Sequence, residues 1–107
     1  MTSEILRASL HDDGNRRARL VLEGELDMAT APTFAAKLTE ACKDKPAELR
    51  IDVTDLKYCD SSGLREFVRA AEVCTSNDTD LRIVGASRIV HQVFAATGLA
   101  DRFAFEP

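Results

Sequence analysis

Long apolar runs are missing: none approaches the roughly 20 residues that a membrane-crossing helix needs, which argues against a helical span in these 107 residues. The opening Met1-Thr2-Ser3-Glu4 lacks the basic and then apolar blocks of a secretory signal, so the chain is expected in the cytoplasm. Cysteine is scarce. Cys42, Cys59 and Cys74 are odd in number, widely spaced and without a CxxC pair, which speaks against a disulfide framework and for small apolar residues kept reduced in a core. His11 and His91 have no zinc-ligand spacing, and no metal or cofactor is expected. Basic charge is short as well. A net charge of −4 with no Lys/Arg stripe disfavours nucleic acid and anionic lipid, and Arg16-Arg17-Ala18-Arg19 beside Asp12-Asp13 reads as a solvated turn and strand edge.

Catalytic motifs are missing too. Ser61, Asp60 and His91 are the ingredients of a hydrolase, yet there is no G-x-S-x-G, and His91 falls on a helix without an evident orienting carboxylate. Cys59 has no adjacent cation to activate it, since Lys57 stands two residues away on an extended loop. Neither G-x-x-x-x-G-K-[ST] nor G-x-G-x-x-G occurs, which leaves nucleotide binding a minor alternative. The chain is expected not to be an enzyme.

What is present suits one domain over residues 1–107, long enough to fold without staples, and 45% hydrophobic with 30% charged residues is a globular balance. Glu4–Leu10 and Arg17–Glu23 read as strands, the second alternating Ala18, Leu20 and Leu22 against Arg19, Val21 and Glu23. The Asp13-Gly14 step between them signals a hairpin. Thr30 can cap a first helix with Pro32 in its first turn and Ala31, Phe34, Leu38, Ala41 and Cys42 inward, ended by Lys43-Asp44-Lys45-Pro46. Leu49, Ile51 and Val53 alternate with Arg50 and Asp52 in a third strand. That alternation implies one sheet face under helices and the other largely in solvent. A second helix starts at Ser61 or Ser62 with Leu64, Phe67, Val68, Ala71 and Cys74 on its buried stripe, and Glu66 can pair with Arg69. Leu81–Val84 is a fourth strand. Ser87 caps a third helix with Val90, Val93, Phe94 and Thr97 inward, ended by Gly98, and Arg102–Glu106 is a last strand. The fold class is α/β: a mixed sheet with an opening antiparallel hairpin, later parallel strands, and helices mainly on one face.

Two segments exceed what local structure requires. Gly24-Glu25-Leu26-Asp27 lies at the exit of the second strand, and Asp60-Ser61-Ser62-Gly63-Leu64 lies where the third strand's loop becomes a helix. An isolated D-S-S-G is most simply a helix N-cap. Together, with Leu22-Glu23 before the first, Ile51-Asp52-Val53 before the second, and Leu81-Arg82-Ile83-Val84 and Ala96-Thr97-Gly98-Leu99 downstream, they resemble the STAS-domain family, specifically the bacterial anti-sigma factor antagonists. The resemblance covers nearly the whole chain in order.

That resemblance implies a single STAS-like domain that binds an anti-sigma factor with serine-kinase activity and so frees a sigma factor. Ser61 matches the serine that such a kinase phosphorylates to abolish binding, and a phosphatase, here expected to be of the PPM type, resets it. Asp27 matches an acidic residue close to that serine, and Gly63 and Leu64 match the first helical turn, the glycine giving the kinase close access. The expected partner surface comprises the loop from Lys57 to Asp60 with Lys57, Cys59 and Asp60 singled out, the turn Ser62, Gly63, Leu64 and Arg65, and the strand exit Glu25 and Asp27. A STAS module of another assembly, a stress-signalling complex or lipid-transport machinery, is the alternative. Some positions depart from the family pattern. Arg65-Glu66 replaces small or aliphatic residues, implying unusual partner specificity, and Ser76-Asn77-Asp78-Thr79-Asp80 replaces a glycine-rich approach to the fourth strand. The sequence stops at Pro107, so the family's terminal helix is expected to be short or absent.

Overall fold

The computed structural model describes residues 5–107; Glu4 of the expected first strand, and the rest of the N-terminal tetrapeptide, lie outside them. The elements are β1 (Leu6–Gly14), β2 (Arg17–Leu26), α1 (Ala31–Cys42), β3 (Glu48–Cys59), α2 (Ser61–Ser76), β4 (Asp80–Val84), α3 (Arg88–Ala96), a 3-10 turn (Ala100–Arg102) and β5 (Ala104–Glu106). The five strands line up in chain order, β1 antiparallel to β2 and the rest parallel. Three successive crossovers therefore step the same way across the sheet, and right-handed crossovers that do so lay their helices on one face.

That face holds the core. Leu20, Leu22, Leu49, Ile51, Val53 and Ile83 of the sheet are fully buried, as are Phe34, Phe67 and Phe94 of the three helices. Phe67 sits at the centre, with ring centroids 4.9 Å from Phe34, 5.1 Å from Phe94 and 6.4 Å from Phe103. The opposite face carries charge on the alternate residues. Arg50 bonds Glu48 at 2.9 Å and Glu106 at 3.1 Å, while Arg82 bonds Asp80 at 2.8 Å and Glu106 at 2.7 Å. Each such half-exposed pair adds little alone, but the chain of pairs ties the three-residue β5 to β4 and β3 on its open side.

Several boundaries differ from the sequence reading for identifiable reasons. The chain reverses at Asn15-Arg16, both left-handed with φ of 55° and 60°, and not at Asp13-Gly14. A two-residue turn with both φ positive matches the twist of an antiparallel pair. The Asp-Gly step instead lies in a bulge of β1, where the Asp12 carboxylate accepts the Gly14 amide at 2.9 Å. β3 runs six residues past Val53, so Lys57 and Cys59 belong to a strand and not to a loop. Its pairing with β2 slips twice, between Val21 and Glu23 and between Gly24 and Glu25. Each slip inserts one extra residue on β3, so Val53, Leu56 and Cys59 reach the core at intervals of three. On α2, Ala70 is buried where Val68 is only half-buried, and on α3 Thr97 is exposed at the C-cap. The last strand begins at Ala104, after the 3-10 turn.

Truncating the ring that the other aromatics surround should be the most damaging core change. Phe67→Ala is expected to lower unfolding free energy by about 3–5 kcal/mol, whereas Tyr58→Ala, at an exposed strand position, should stay within about 0.5 kcal/mol. Urea titration followed by circular dichroism checks both.

Candidate functional site

β2 and β3 leave the sheet side by side. Leu26 pairs with Cys59 in the ladder, so the next residues, Asp27 and Asp60, stand at neighbouring strand exits. The Asp60 amide then donates to the Leu26 carbonyl at 3.1 Å, which stitches the two exits together.

Asp60 is the N-cap of α2. Its backbone is extended (φ −105°, ψ −169°), its carboxylate accepts the amides of Ser62 at 2.9 Å and Gly63 at 3.3 Å, and its carbonyl accepts the Leu64 amide at 2.9 Å. Amides at a helix start otherwise lack an intrahelical acceptor, and a carboxylate there also meets the positive end of the helix dipole. Asp27 does the corresponding work before α1. Its carboxylate accepts the amides of Ala29 at 2.9 Å and Thr30 at 3.0 Å, and its carbonyl accepts the Ala31 amide at 2.8 Å. Thr30, expected to cap α1 through its side chain, does not. Its buried hydroxyl points back into the turn, donating to the Glu25 carbonyl at 2.8 Å and accepting the Asp27 amide at 2.9 Å.

The first turn of α2 lies directly on the strand exits. A Cβ on Gly63 would come within 2.6 Å of Leu26 Cγ and 2.9 Å of Cys59 Sγ, so the glycine is required for this close packing. Gly63, Leu64 and Cys59 are all buried. The three were expected at the partner surface; their side chains or Cβ positions face the core, and they act as the floor of the site. Burial, and then the adjacent Asp60 charge, push the Cys59 thiol up to about 12, which removes it as a nucleophile at neutral pH.

Above that floor, Ser61 is exposed at the first helical position, Ser62 and Asp60 are half-buried, and Arg65 is exposed one turn on. Lys57 is exposed on β3, while Glu25 and Asp27 are half-buried. Two exposed apolar residues join this group: Met28, which the sequence reading passed over, and Tyr58, which falls within the expected stretch from Lys57 to Asp60. Met28 is 78% exposed beside Asp27, and Tyr58 is 47% exposed and paired with Glu25 in the ladder. Apolar side chains held in water beside a ring of charges are the usual anchors of a binding surface. An isolated methionine in a turn was the one sequence signal for the first; the second was expected on a loop and stands on β3 instead. His91 lies on α3 with its ring 4.6 Å from Phe105 of β5, two strands beyond β3, so the hydrolase grouping is not assembled at Ser61.

Comparison with known proteins agrees with this architecture. The family model described as "Mlab, STAS domain" matches residues 10–105. The anti-sigma-B factor antagonist of Staphylococcus aureus is 35% identical over 78 residues, which are 73% of this chain and 72% of that protein. An anti-sigma factor antagonist from Mycobacterium paratuberculosis has the same fold, with a TM-score of 0.85 at 22% identity over 95% of this chain and 86% of that one. The Bacillus cell fate determinant SpoIIAA in its phosphorylated form gives a TM-score of 0.72 at 19% identity, covering 92% and 90%. By the extent of the family match and the identity to the staphylococcal protein, this chain belongs to the STAS-domain family of anti-sigma factor antagonists.

Proposed function

We propose that this protein binds an anti-sigma factor through the two stitched strand exits and the first turn of α2, and that phosphorylation of Ser61 by that partner's serine-kinase activity dissolves the complex. The observation that carries the reading is the placement of the Ser61 hydroxyl: exposed, at the first position of α2, next to the capping carboxylate of Asp60. Glu25, Asp27, Met28, Lys57, Tyr58, Ser62 and Arg65 would supply the rest of the contact. Sequestering the anti-sigma factor would release its sigma factor for transcription in the cytoplasm, and a PPM-type phosphatase would restore the binding form.

The physics supports a switch of this kind. A phosphate on Ser61 would lie at the positive dipole end of α2, so the fold tolerates it. It also brings about −1.5 to −2 charges next to Asp60 and close to the Asp27 strand exit. Against a partner carboxylate about 6 Å away, Coulomb's law gives about 1–6 kcal/mol of repulsion for effective dielectrics of 80 to 20, a loss of about ten- to ten-thousand-fold in affinity. The two acids take part in backbone turns, which holds their charges in place instead of letting them swing away from the phosphate.

The expected outcome is that Ser61→Ala captures a kinase-like anti-sigma factor from lysate of the native cell, identified by mass spectrometry, while Ser61→Glu binds it about 3- to 100-fold more weakly, as one added charge requires. Equal capture of that partner by both variants contradicts the switch, and shared capture of a different assembly favours the alternative STAS role. Fold and binding are separable by a third variant. Asp60→Ala should lose about 1 kcal/mol of stability with its cap, whereas Ser61→Ala should change stability by less than about 0.5 kcal/mol; denaturant midpoints read the difference.

A further inference from the structure

Cys42 and Cys74 are far apart in sequence, but the fold brings them together. α1 and α2 each follow a strand of the same parallel pair and run in the same direction. Phe34 meets Phe67 at 4.9 Å, and the Ala35 carbonyl accepts Arg69 Nη2 at 3.2 Å, so each α1 residue faces the α2 residue 33 to 34 places later. Continued to the end of α1, that register carries Cys42 to the turn of α2 that holds Cys74. Both thiols are free, and both are buried at 7% and 1% exposure. A cavity of about 190 Å³ opens between the helices beside them, lined by Leu38, Cys42, Lys43, Arg69, Val73 and Asn77. It gives a small molecule a route to Cys42, with two cations at its wall, while Cys74 lies behind.

We infer that Cys42 and Cys74 form a reversible intramolecular disulfide when the chain meets a hydroperoxide. Cys42 is the attacking sulfur. The adjacent Cys74 thiol and the nearby Arg69 guanidinium outweigh burial and hold its thiol down to about 7, while the Cys42 partner and burial push Cys74 upward. The Cys42 thiolate takes the distal oxygen of the peroxide, the O–O bond breaks, and with one proton the departing oxygen leaves as water (or, from an alkyl peroxide, as the alcohol). Cys74 then attacks the Cys42 sulfenic acid. The S–S bond forms, the S–O bond breaks, and hydroxide leaves with the Cys74 proton as a further water. Two thiols are thus oxidised and one peroxide reduced. The sulfurs must close to about 2.0 Å, at the C-terminal ends of two helices. A dithiol reductant reverses the bond by thiol exchange. Cys59, beneath Gly63 and away from this cavity, stays reduced. This inference stands independently of the binding role.

The test uses the reduced, folded, full-length chain exposed to hydrogen peroxide, then quenched and labelled with a maleimide. The three free thiols should fall to one by label count, the intact monomer should lose about 2 Da for the two hydrogens removed when weighed before labelling, and trypsin should release residues 38–43 linked to residues 70–82. Dithiothreitol should restore the starting mass. Cys74→Ser should leave a sulfenic acid on Cys42 that dimedone traps, and Cys42→Ser should leave both remaining thiols free. Retention of three thiols at a peroxide dose that fully oxidises glutathione overturns the inference. So does a bond that includes Cys59 or joins two chains. Should a variant fail to fold, the wild-type peptide map decides alone.

Discussion

The hydrogen bond from the Asp60 amide to the Leu26 carbonyl joins two strand exits that the chain reaches from distant parts of the sequence, and the site's geometry depends on it. Leu26 and Cys59 are ladder partners, so the bond continues the sheet by one step at the point where the sheet ends. Gly63 then sits on both of them at a separation that no Cβ would permit. The direction of α2 is set by that contact and by the Asp60 cap, and Ser61 is thereby held at a defined place at the helix start. Loosening the stitch would let the first turn drift relative to Asp27, and the charges around Ser61 would lose their fixed spacing.

A site built in this way responds to charge without needing to deform. Its floor of Leu26, Cys59, Gly63 and Leu64 is buried, and the carboxylates of Asp27 and Asp60 are tied to backbone amides, while Ser61 and Arg65 face water. Interiors packed to this density resist gradual distortion, so a phosphate added at the surface alters the electrostatic landscape far more readily than it alters the core. The exposed Met28 and Tyr58 complement this arrangement. In the proposed complex they would offer apolar contact that is insensitive to the modification, which would leave the decision between bound and free to the charge term. That division suits reversible binding of modest area.

Much of the architecture was legible because the core-facing positions keep a simple period. Leu20 and Leu22, Leu49, Ile51 and Val53, and the helical stripe from Phe34 to Leu38 all face inward as their spacing implies. The two slips in the β2–β3 register broke that legibility. They turn a period of two into a period of three from Val53 to Cys59, which reads as a loop, and so hide the strand. Local competition between similar caps was the second obstacle. Thr30 and Asp27 can each satisfy the start of α1, and the choice fell to Asp27 because the Thr30 hydroxyl finds the Glu25 carbonyl inside the turn. Asp60 as a cap and Ser61 as the start of α2 were legible, since an acid before a helix has one low-energy role. The encounter of Cys42 with Cys74 was beyond reach, because it follows from the register of two helices and not from any pattern along one of them.

The central claim is that modification of Ser61 changes the surface charge of a rigid platform and leaves the fold alone. Backbone amide NMR of the chain carrying phosphoserine at position 61, against the unmodified chain, tests it most directly. The account expects shift changes confined to residues 25–30 and 57–66, with hydrogen-exchange protection of the sheet unchanged. Shift changes reaching Phe34, Phe94 and α3, or loss of protection in β3 and β4, would show that the phosphate works by reorganising the fold, and would contradict it.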